Sequence, residues 1–224
     1  MHHPAKLKIA PSILAADLSK LGEEARAVIA AGADRLHFDV MDFHYVPNLT
    51  MGPQVLSAIR KSDVHIPIDV HLMVQHVEAC IPAFVEAGAA SLIVHPETTI
   101  HLDRTLKRIK SLGVQVGIAL NPADHLGILD YIWPLLDQIL VMTVNPGFVG
   151  QAFIPEMLTK IKTIRETINK NNYAIDLMVD GGVSLQNCKQ VFQAGANILV
   201  FGNGIYQTKD YTQTISQIRE FCSA

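Results

Sequence analysis

The sequence predicts a single (β/α)₈ barrel, the TIM-barrel fold, that spans residues 1–224. Eight short runs of apolar and β-branched residues recur along the chain, and segments with helical spacing of apolar residues separate them. The 224 residues fit the usual size of one such barrel, about 200 to 250 residues. No linker or shift in composition divides the chain, so one closed domain is favoured over two lobes. An open doubly wound sheet is the alternative.

The eight candidate strands follow from the apolar runs. Most of these runs are almost continuously apolar rather than alternating, which is typical of parallel strands that helices cover on both faces. The predicted strands are Leu7–Ile13, Arg35–Val40, Ile66–Leu72, Ser91–His95, Gln115–Leu120, Gln138–Val144, Ile175–Val179 and Asn197–Phe201.

The segments between the strands are predicted to be helices, because their apolar residues recur every three to four positions. Three of them end in the tripeptide Ala-Gly-Ala just before a strand, at Gly32, Gly88 and Gly195. Glycine readily adopts the left-handed conformation that ends a helix, and small neighbours let helix and strand pack closely. This repeated tripeptide supports an architecture of repeating strand and helix units, and it indicates no activity.

Composition excludes several classes of partner. The formal net charge is −3, and no basic cluster provides the positive surface that binds nucleic acid. No apolar run reaches the roughly 18 to 20 residues that span a bilayer, so no membrane contact is expected. The three cysteines lack a C-x-x-C pair, which predicts reduced thiols in a cytoplasmic protein. The oligomeric state stays open, and the sequence is compatible with a homo-oligomer.

Polar side chains stand near the ends of several predicted strands. His37 and Asp39 alternate along the second strand and point to one face, His71 lies in the third, and Asp180 follows the seventh. Because the carboxyl ends of barrel strands meet at one rim, these groups are expected to converge. Two imidazoles and two carboxylates suit one divalent ion, either zinc, iron, cobalt or manganese. A single buried histidine is more often structural, so the residues alone leave both interpretations open.

Glycine-rich turns follow the sixth, seventh and eighth predicted strands. Gly147 and Gly150 lie in the first turn, Gly181 and Gly182 in the second, and Gly202 in the third. Glycine lets backbone N–H groups approach an anion closely, and phosphate sites in these barrels often lie at the last loops. The sequence therefore predicts a phosphorylated ligand. It has no P-loop and no G-x-G-x-x-G after a first strand, so neither an ATP site nor a dinucleotide site is predicted.

Taken together, the motifs at the strand ends resemble those of one family, the ribulose-phosphate 3-epimerases. They occur in order between residues 7 and 206, so the resemblance covers nearly the whole chain. The matching segments are 10–17 (APSILAAD), 37–42 (HFDVMD), 46–48 (VPN), 69–74 (DVHLMV), 142–148 (MTVNPGF) and 179–183 (VDGGV).

The resemblance implies an isomerase of the pentose phosphate pathway that interconverts D-ribulose 5-phosphate and D-xylulose 5-phosphate. Its partner is therefore a small phosphorylated ketose. It implies that one divalent metal ion is bound by His37, Asp39, His71 and Asp180. It implies that Asp39 and Asp180 are the catalytic acid and base, on either side of a metal-stabilised enediolate. The residues expected to contact the substrate are Ser12, His71, Gly147, Phe148, Val149, Gly150, Gly181, Gly182, Gly202 and Asn203.

Three residues depart from the family's usual pattern, namely Phe43, Val149 and Asn203. These changes keep open an epimerase for another ketose phosphate, such as allulose 6-phosphate. A related barrel lyase is a second alternative, but such enzymes use lysines at the strand ends and none occurs here. A catalytically silent phosphosugar-binding protein is a third, and it would be expected to have lost an aspartate or a ligand.

Overall fold

The structure, a computed structural model, describes residues 6–223 and consists of short strands connected mostly by helices. The strands are β1 Lys8–Pro11, β2 Leu36–Met41, β3 Ile68–Met73, β4 Ser91–Val94, β5 Gln115–Leu120, β6 Gln138–Met142, β7 Asp176–Asp180 and β8 Ile198–Phe201. The α-helices are α1 Leu21–Ala30, α2 Pro53–Lys61, α3 Val77–Glu86, α4 Leu102–Ser111, α5 Met157–Lys170, α6 Cys188–Gln193, α7 Asn203–Tyr206 and α8 Tyr211–Ser223. Within this part of the chain, no helix combines the length and the apolar character that crossing a membrane requires.

All eight strands belong to one parallel sheet that closes into a barrel. Their order is β1-β8-β7-β6-β5-β4-β3-β2, so each strand lies beside its neighbours in sequence. A parallel bridge between Ser12 and His37, just beyond β1, joins the two ends of this order. The order confirms the predicted barrel and excludes the doubly wound sheet, in which the strand order reverses.

The barrel has two apolar layers because successive side chains of a strand point to opposite faces. One face fills the interior, where Ile93, Met178 and Ile198 are fully buried. The other face packs beneath the helices, where the rings of Phe38 on β2 and Phe84 on α3 are 6.4 Å apart. Burial on both faces explains why the strands read as continuous apolar runs.

A buried ion pair fills the amino-terminal end of the barrel interior. Arg35 Nε donates to Asp69 Oδ2 at 2.6 Å, and Arg35 Nη2 donates to Asp69 Oδ1 at 2.5 Å. Ser91 Oγ and Gln138 Nε2 also donate to Asp69 Oδ1, at 2.5 Å and 3.2 Å. These donors offset the cost of burying the Asp69 carboxylate. Polar side chains therefore pack this end of the barrel.

The connection between β5 and β6 departs from the prediction of a helix after every strand. It contains two short 3₁₀ turns, Leu126–Leu129 and Trp133–Leu135, in place of an α-helix. Gly127 and Pro134 disfavour a continuous helix, because glycine costs backbone entropy and proline lacks an N–H donor. The segment still covers the barrel, since Leu129 is fully buried.

Candidate active site and metal centre

Four of the predicted polar side chains meet at the carboxyl-terminal rim of the barrel. His37 and Asp39 come from β2, His71 from β3 and Asp180 from the end of β7. Asp39 and His71 are register partners, which brings their side chains together. One ligand atom from each of the four residues lies within 4.8 Å of the others. This cluster of His37, Asp39, His71 and Asp180, the rim cluster, could therefore hold a metal ion.

Asp39 lies at the centre of the rim cluster and is buried. Ser12 Oγ donates a hydrogen bond to Asp39 Oδ2 at 2.5 Å. Nδ1 of His71 is 3.1 Å from Asp39 Oδ1, and Nε2 of His37 is 3.3 Å from the same oxygen. The carboxylate thus faces a hydroxyl and two imidazoles, which offset the cost of removing its charge from water.

The burial and the contacts of the His37 imidazole indicate whether the cluster fits a cation. His37 is fully buried, and neither of its ring nitrogens has a hydrogen-bond partner among residues 6–223. An unsatisfied buried nitrogen costs about 1–3 kcal/mol. Its Nε2 faces the carboxylates of Asp39 and Asp180, at 3.3 Å and 3.9 Å from their nearest oxygens. A divalent ion between these groups would take up the nitrogen lone pair and balance both carboxylates, so the residues present fit such an ion.

The two carboxyls of the cluster have different pKa values in the protein alone. Burial opposes the ionisation of Asp39, but the rings of His37 and His71 outweigh it and hold the pKa of Asp39 well below its usual value. Burial and repulsion by the Asp39 carboxylate raise the pKa of Asp180 to about 7. Burial also opposes the protonation of His37, yet attraction by Asp39 raises the pKa of that imidazole to about 9. In the protein alone, Asp39 therefore ionises more readily than Asp180, because the two imidazoles face Asp39 whereas the Asp39 carboxylate repels charge on Asp180.

Asp180 has more contact with solvent than Asp39, since their side chains are 18% and 6% exposed.

Thr143 fixes the backbone at Asp180. Its N–H and its Oγ1 donate to the Asp180 carbonyl at 2.8 Å and 2.9 Å, and Oγ1 also donates to the carbonyl of Gly181. Sequence reasoning missed Thr143, which reads as an ordinary residue after an apolar strand.

A cavity of about 110 Å³ adjoins the rim cluster, and both aspartates form part of its wall. The apolar part of the wall includes Met41, Met73 and Met142. The cavity also brings together most of the residues predicted to contact the substrate, namely Ser12, Gly147, Phe148, Val149, Gly150, Gly181, Gly182, Gly202 and Asn203. His71, the remaining predicted contact, is fully buried and touches Asp39 instead.

The loop between β6 and α5 forms one side of the cavity mouth. Gln151 Nε2 donates to the carbonyl of Phe148 at 3.1 Å, and Asn48 Nδ2 donates to the carbonyl of Gly147 at 3.2 Å. Phe148 and Val149 are 57% and 55% exposed. Side-chain amides therefore hold the loop backbone in place while two apolar side chains face solvent at the mouth.

Two glycines of the cavity wall occupy positions where a side chain would be strained. Gly181 has φ 112° and Gly182 has φ 66°. A Cβ atom at Gly181 would lie 2.5 Å from Cγ2 of Val144, and one at Gly182 would lie 2.5 Å from the backbone N of Phe153. Both backbone conformation and space therefore require glycine at these two positions.

Sequence reasoning assigned no role to two residues that follow β4, one of which contacts the rim cluster. His95, which follows β4, is fully buried, and its Nε2 is 2.9 Å from Nε2 of His71. Glu97 lies two residues further on, with Oε1 3.8 Å from Nδ1 of His95. The sequence places both residues at a strand end, but no local pattern indicates the contact of His95 with His71, because that contact joins two different segments.

Parallel strands in a closed ring, with titratable side chains and a cavity at their carboxyl ends, define a (β/α)₈-barrel enzyme. Comparison with known sequences gives its family. The model of the Ribulose-phosphate 3 epimerase family matches residues 8–206, and the chain belongs to that family.

Two relatives and one solved structure illustrate the similarity. The Ribulose-phosphate 3-epimerase of Buchnera aphidicola subsp. Schizaphis graminum is 51% identical over 215 residues, which cover 96% of this chain and 94% of the relative. The Ribulose-phosphate 3-epimerase of Escherichia coli K12 is 49% identical over 211 residues, or 94% of each chain. The crystal structure of KGPDC from Streptococcus mutans has a TM-score of 0.72 at 12% identity, covers 97% of this chain and 98% of its own, and supports the fold alone.

Replacing Gly182 by alanine should destabilise the protein more than replacing Gly113 by alanine. Both glycines have positive φ, 66° and 81°, so each substitution strains the backbone. At Gly113 a Cβ atom would meet nothing within 4 Å in the described structure, whereas at Gly182 it would meet the backbone of Phe153. We expect a loss of about 1 kcal/mol for Gly113→Ala and about 3 kcal/mol for Gly182→Ala in urea unfolding. Equal losses would contradict the steric explanation.

Proposed function

We propose that this chain is a 3-epimerase that interconverts D-ribulose 5-phosphate and D-xylulose 5-phosphate in the pentose phosphate pathway. One observation carries the proposal: Asp39 and Asp180, two carboxyls with different pKa values, border the same cavity. The identity of the substrate is supported by the names of relatives that are 51% and 49% identical over nearly their whole length.

Epimerisation at carbon 3 needs a base on one face of the ketose and an acid on the other. Asp39, which is ionised in the protein alone, is suited to remove the proton in one direction. Asp180, with a pKa raised to about 7, is suited to hold a proton and return it from the other side. In the reverse direction the two roles exchange. Ser12 donates a hydrogen bond to one oxygen of Asp39 and so fixes the orientation of that carboxylate.

We further propose that the rim cluster binds one divalent metal ion. Nε2 of His37 and Nδ1 of His71 both face carboxylate oxygens of the cluster, and a mixed nitrogen and oxygen donor set suits zinc, iron, manganese or cobalt. When bound, the ion would supply Lewis-acid stabilisation of the negative charge that develops on the substrate oxygens. The chain contributes a buried and preorganised donor set, which limits the reorganisation that the reaction requires.

The phosphate of the substrate is proposed to lie on the glycine-lined side of the cavity. Gly147, Gly150, Gly181, Gly182 and Gly202 all line this cavity. Their backbone N–H groups are the donors that a phosphate would require, and the lack of side chains leaves room for it. Binding there would hold carbon 3 of the substrate near the two carboxyls that line the same cavity.

A second candidate substrate is a hexulose phosphate such as allulose 6-phosphate. It is favoured by the observation that Val149 and Asn203, which depart from the usual residues of the family, both line the cavity. Phe43, the third departure, is 63% exposed in the loop after β2. The same pair of carboxyls would perform the same proton transfers on either substrate.

Two further alternatives receive less support. A lysine-dependent barrel lyase would need a lysine at the site, and the described residues that line the cavity include none. A silent phosphosugar-binding protein would be expected to lack part of the rim cluster, yet its four side chains are present and close together. We also propose a cytoplasmic location, since Cys80, Cys188 and Cys222 are free thiols.

Asp39→Asn and Asp180→Asn should each lower kcat by about 10²–10⁴-fold, because an amide cannot exchange the required proton. The measurement follows D-xylulose 5-phosphate formation and deuterium uptake at carbon 3 in heavy water. Asp63→Asn is the control, because Asp63 is an exposed carboxylate with φ 65° that asparagine tolerates. Normal turnover by either site variant would remove that aspartate from the mechanism.

The choice between the two candidate substrates is tested by kcat/KM. We expect the value for D-ribulose 5-phosphate to exceed that for D-allulose 6-phosphate by at least about 10-fold, because a longer sugar chain must fit in the same cavity of about 110 Å³. The reverse order would assign the chain to hexulose phosphates and leave the two-carboxyl chemistry intact.

A further inference from the structure

His71 and His95 form a buried pair of imidazoles in which a single hydrogen lies between two nitrogens. Both residues are fully buried, and their Nε2 atoms are 2.9 Å apart. One of these nitrogens must donate and the other must accept, because two bare lone pairs or two N–H groups would repel each other at this distance. The tautomer of one ring therefore fixes the tautomer of the other.

The other nitrogen of His71 decides which ring donates. Nδ1 of His71 lies 3.1 Å from Asp39 Oδ1 and faces the rim cluster. A neutral imidazole that offers its Nδ1 lone pair to a cation carries its hydrogen on Nε2. His71 Nε2–H would then donate to Nε2 of His95, and His95 would carry its own hydrogen on Nδ1.

The surroundings of His95 favour this same arrangement. Nδ1 of His95 points toward Glu97, whose Oε1 is 3.8 Å away. Two donors hold that carboxylate oxygen, namely the hydroxyl of Tyr45 at 2.5 Å and Nδ2 of Asn121 at 2.6 Å. The ring of Tyr45 also packs on His95, with centroids 4.8 Å apart. A fixed negative group on this side favours a hydrogen on Nδ1 of His95 rather than a lone pair.

We propose that His95 is a positioning residue for the metal centre, which accepts a hydrogen bond from His71 and thereby keeps the Nδ1 lone pair of His71 directed at the rim cluster. Glu97, held by Tyr45 and Asn121, places a carboxylate oxygen 3.8 Å from Nδ1 of His95 and favours the tautomer with its hydrogen on that nitrogen. This inference rests on the proposed function, because it requires the rim cluster to bind a divalent ion. The proposal gives a role to residues in the segments after β2, β4 and β5, namely Tyr45, Glu97 and Asn121, none of which is a proposed metal ligand.

The test compares two substitutions that separate hydrogen bonding from packing. His95→Gln keeps an acceptor oxygen near Nε2 of His71, whereas His95→Leu fills similar space with no acceptor. His65→Leu is the control, because His65 is an exposed histidine whose side chain is 83% accessible. Each full-length protein is stripped with a chelator, and its Zn²⁺ affinity is measured by competition with a chromophoric chelator. Thermal unfolding of the stripped proteins monitors the fold.

We expect His95→Leu to weaken Zn²⁺ binding by about 10–100-fold, and we expect His95→Gln to recover most of that loss. His65→Leu should bind Zn²⁺ like the unsubstituted protein. Equal affinity of His95→Leu and the unsubstituted protein, or an equal loss in both His95 variants, would overturn the inference, because a packing role predicts no difference between an acceptor and a methyl group.

A second measurement needs no variant and remains available if His95→Leu fails to fold. Nitrogen-15 NMR of the histidine rings in the Zn²⁺-loaded protein should show His71 with its hydrogen on Nε2 and His95 with its hydrogen on Nδ1. The opposite pair of tautomers would contradict the positioning role.

If the unsubstituted protein binds Zn²⁺ and epimerises the substrate while these tests fail, only the inference about His95 is wrong. If it neither binds Zn²⁺ nor turns over substrate, the proposed function falls with it.

Discussion

The buried carboxylate of Asp39 is the group on which the arrangement of the barrel rim depends. A charge with so little contact with water is tolerated only where donors or cations surround it. Ser12, His37 and His71 provide that environment, and they come from the segments of the first three strands. A slip of one residue between β2 and β3 would turn Asp39 to the face beneath the helices and break the cluster. The register that closes the barrel therefore also assembles the site.

The two sides of the rim have different physical characters. The side formed by β2, β3 and β4 is buried and rich in imidazole, with His37, His71 and His95 all inaccessible to solvent. The side formed by the loops after β6, β7 and β8 is open and rich in glycine, and it ends at the exposed Phe148. The buried side suits groups that must keep their charge and orientation, and the open side suits a ligand that must enter and leave. Asp180 lies where the two sides meet.

The sequence predicts the fold because a strand covered on both faces appears as a short apolar run, and each of the eight predicted strands overlaps an observed one. The prediction of a helix is wrong between β5 and β6, where Gly127 and Pro134 leave only short 3₁₀ turns. The sequence also predicts that His37 and Asp180 approach each other, because the carboxyl ends of parallel strands share one rim. The contact of His95 with His71 could not be predicted, since it depends on rotamers and on the distance between two strands.

The position of the cation is open to direct measurement by anomalous diffraction at the zinc absorption edge, on crystals of the Zn²⁺-loaded protein. A shared ion predicts one strong peak within about 2.0–2.2 Å of Nε2 of His37, Nδ1 of His71 and one oxygen each of Asp39 and Asp180. A peak at another position, or none at the rim of a fully loaded protein, would contradict the claim that the two aspartates act around one metal ion.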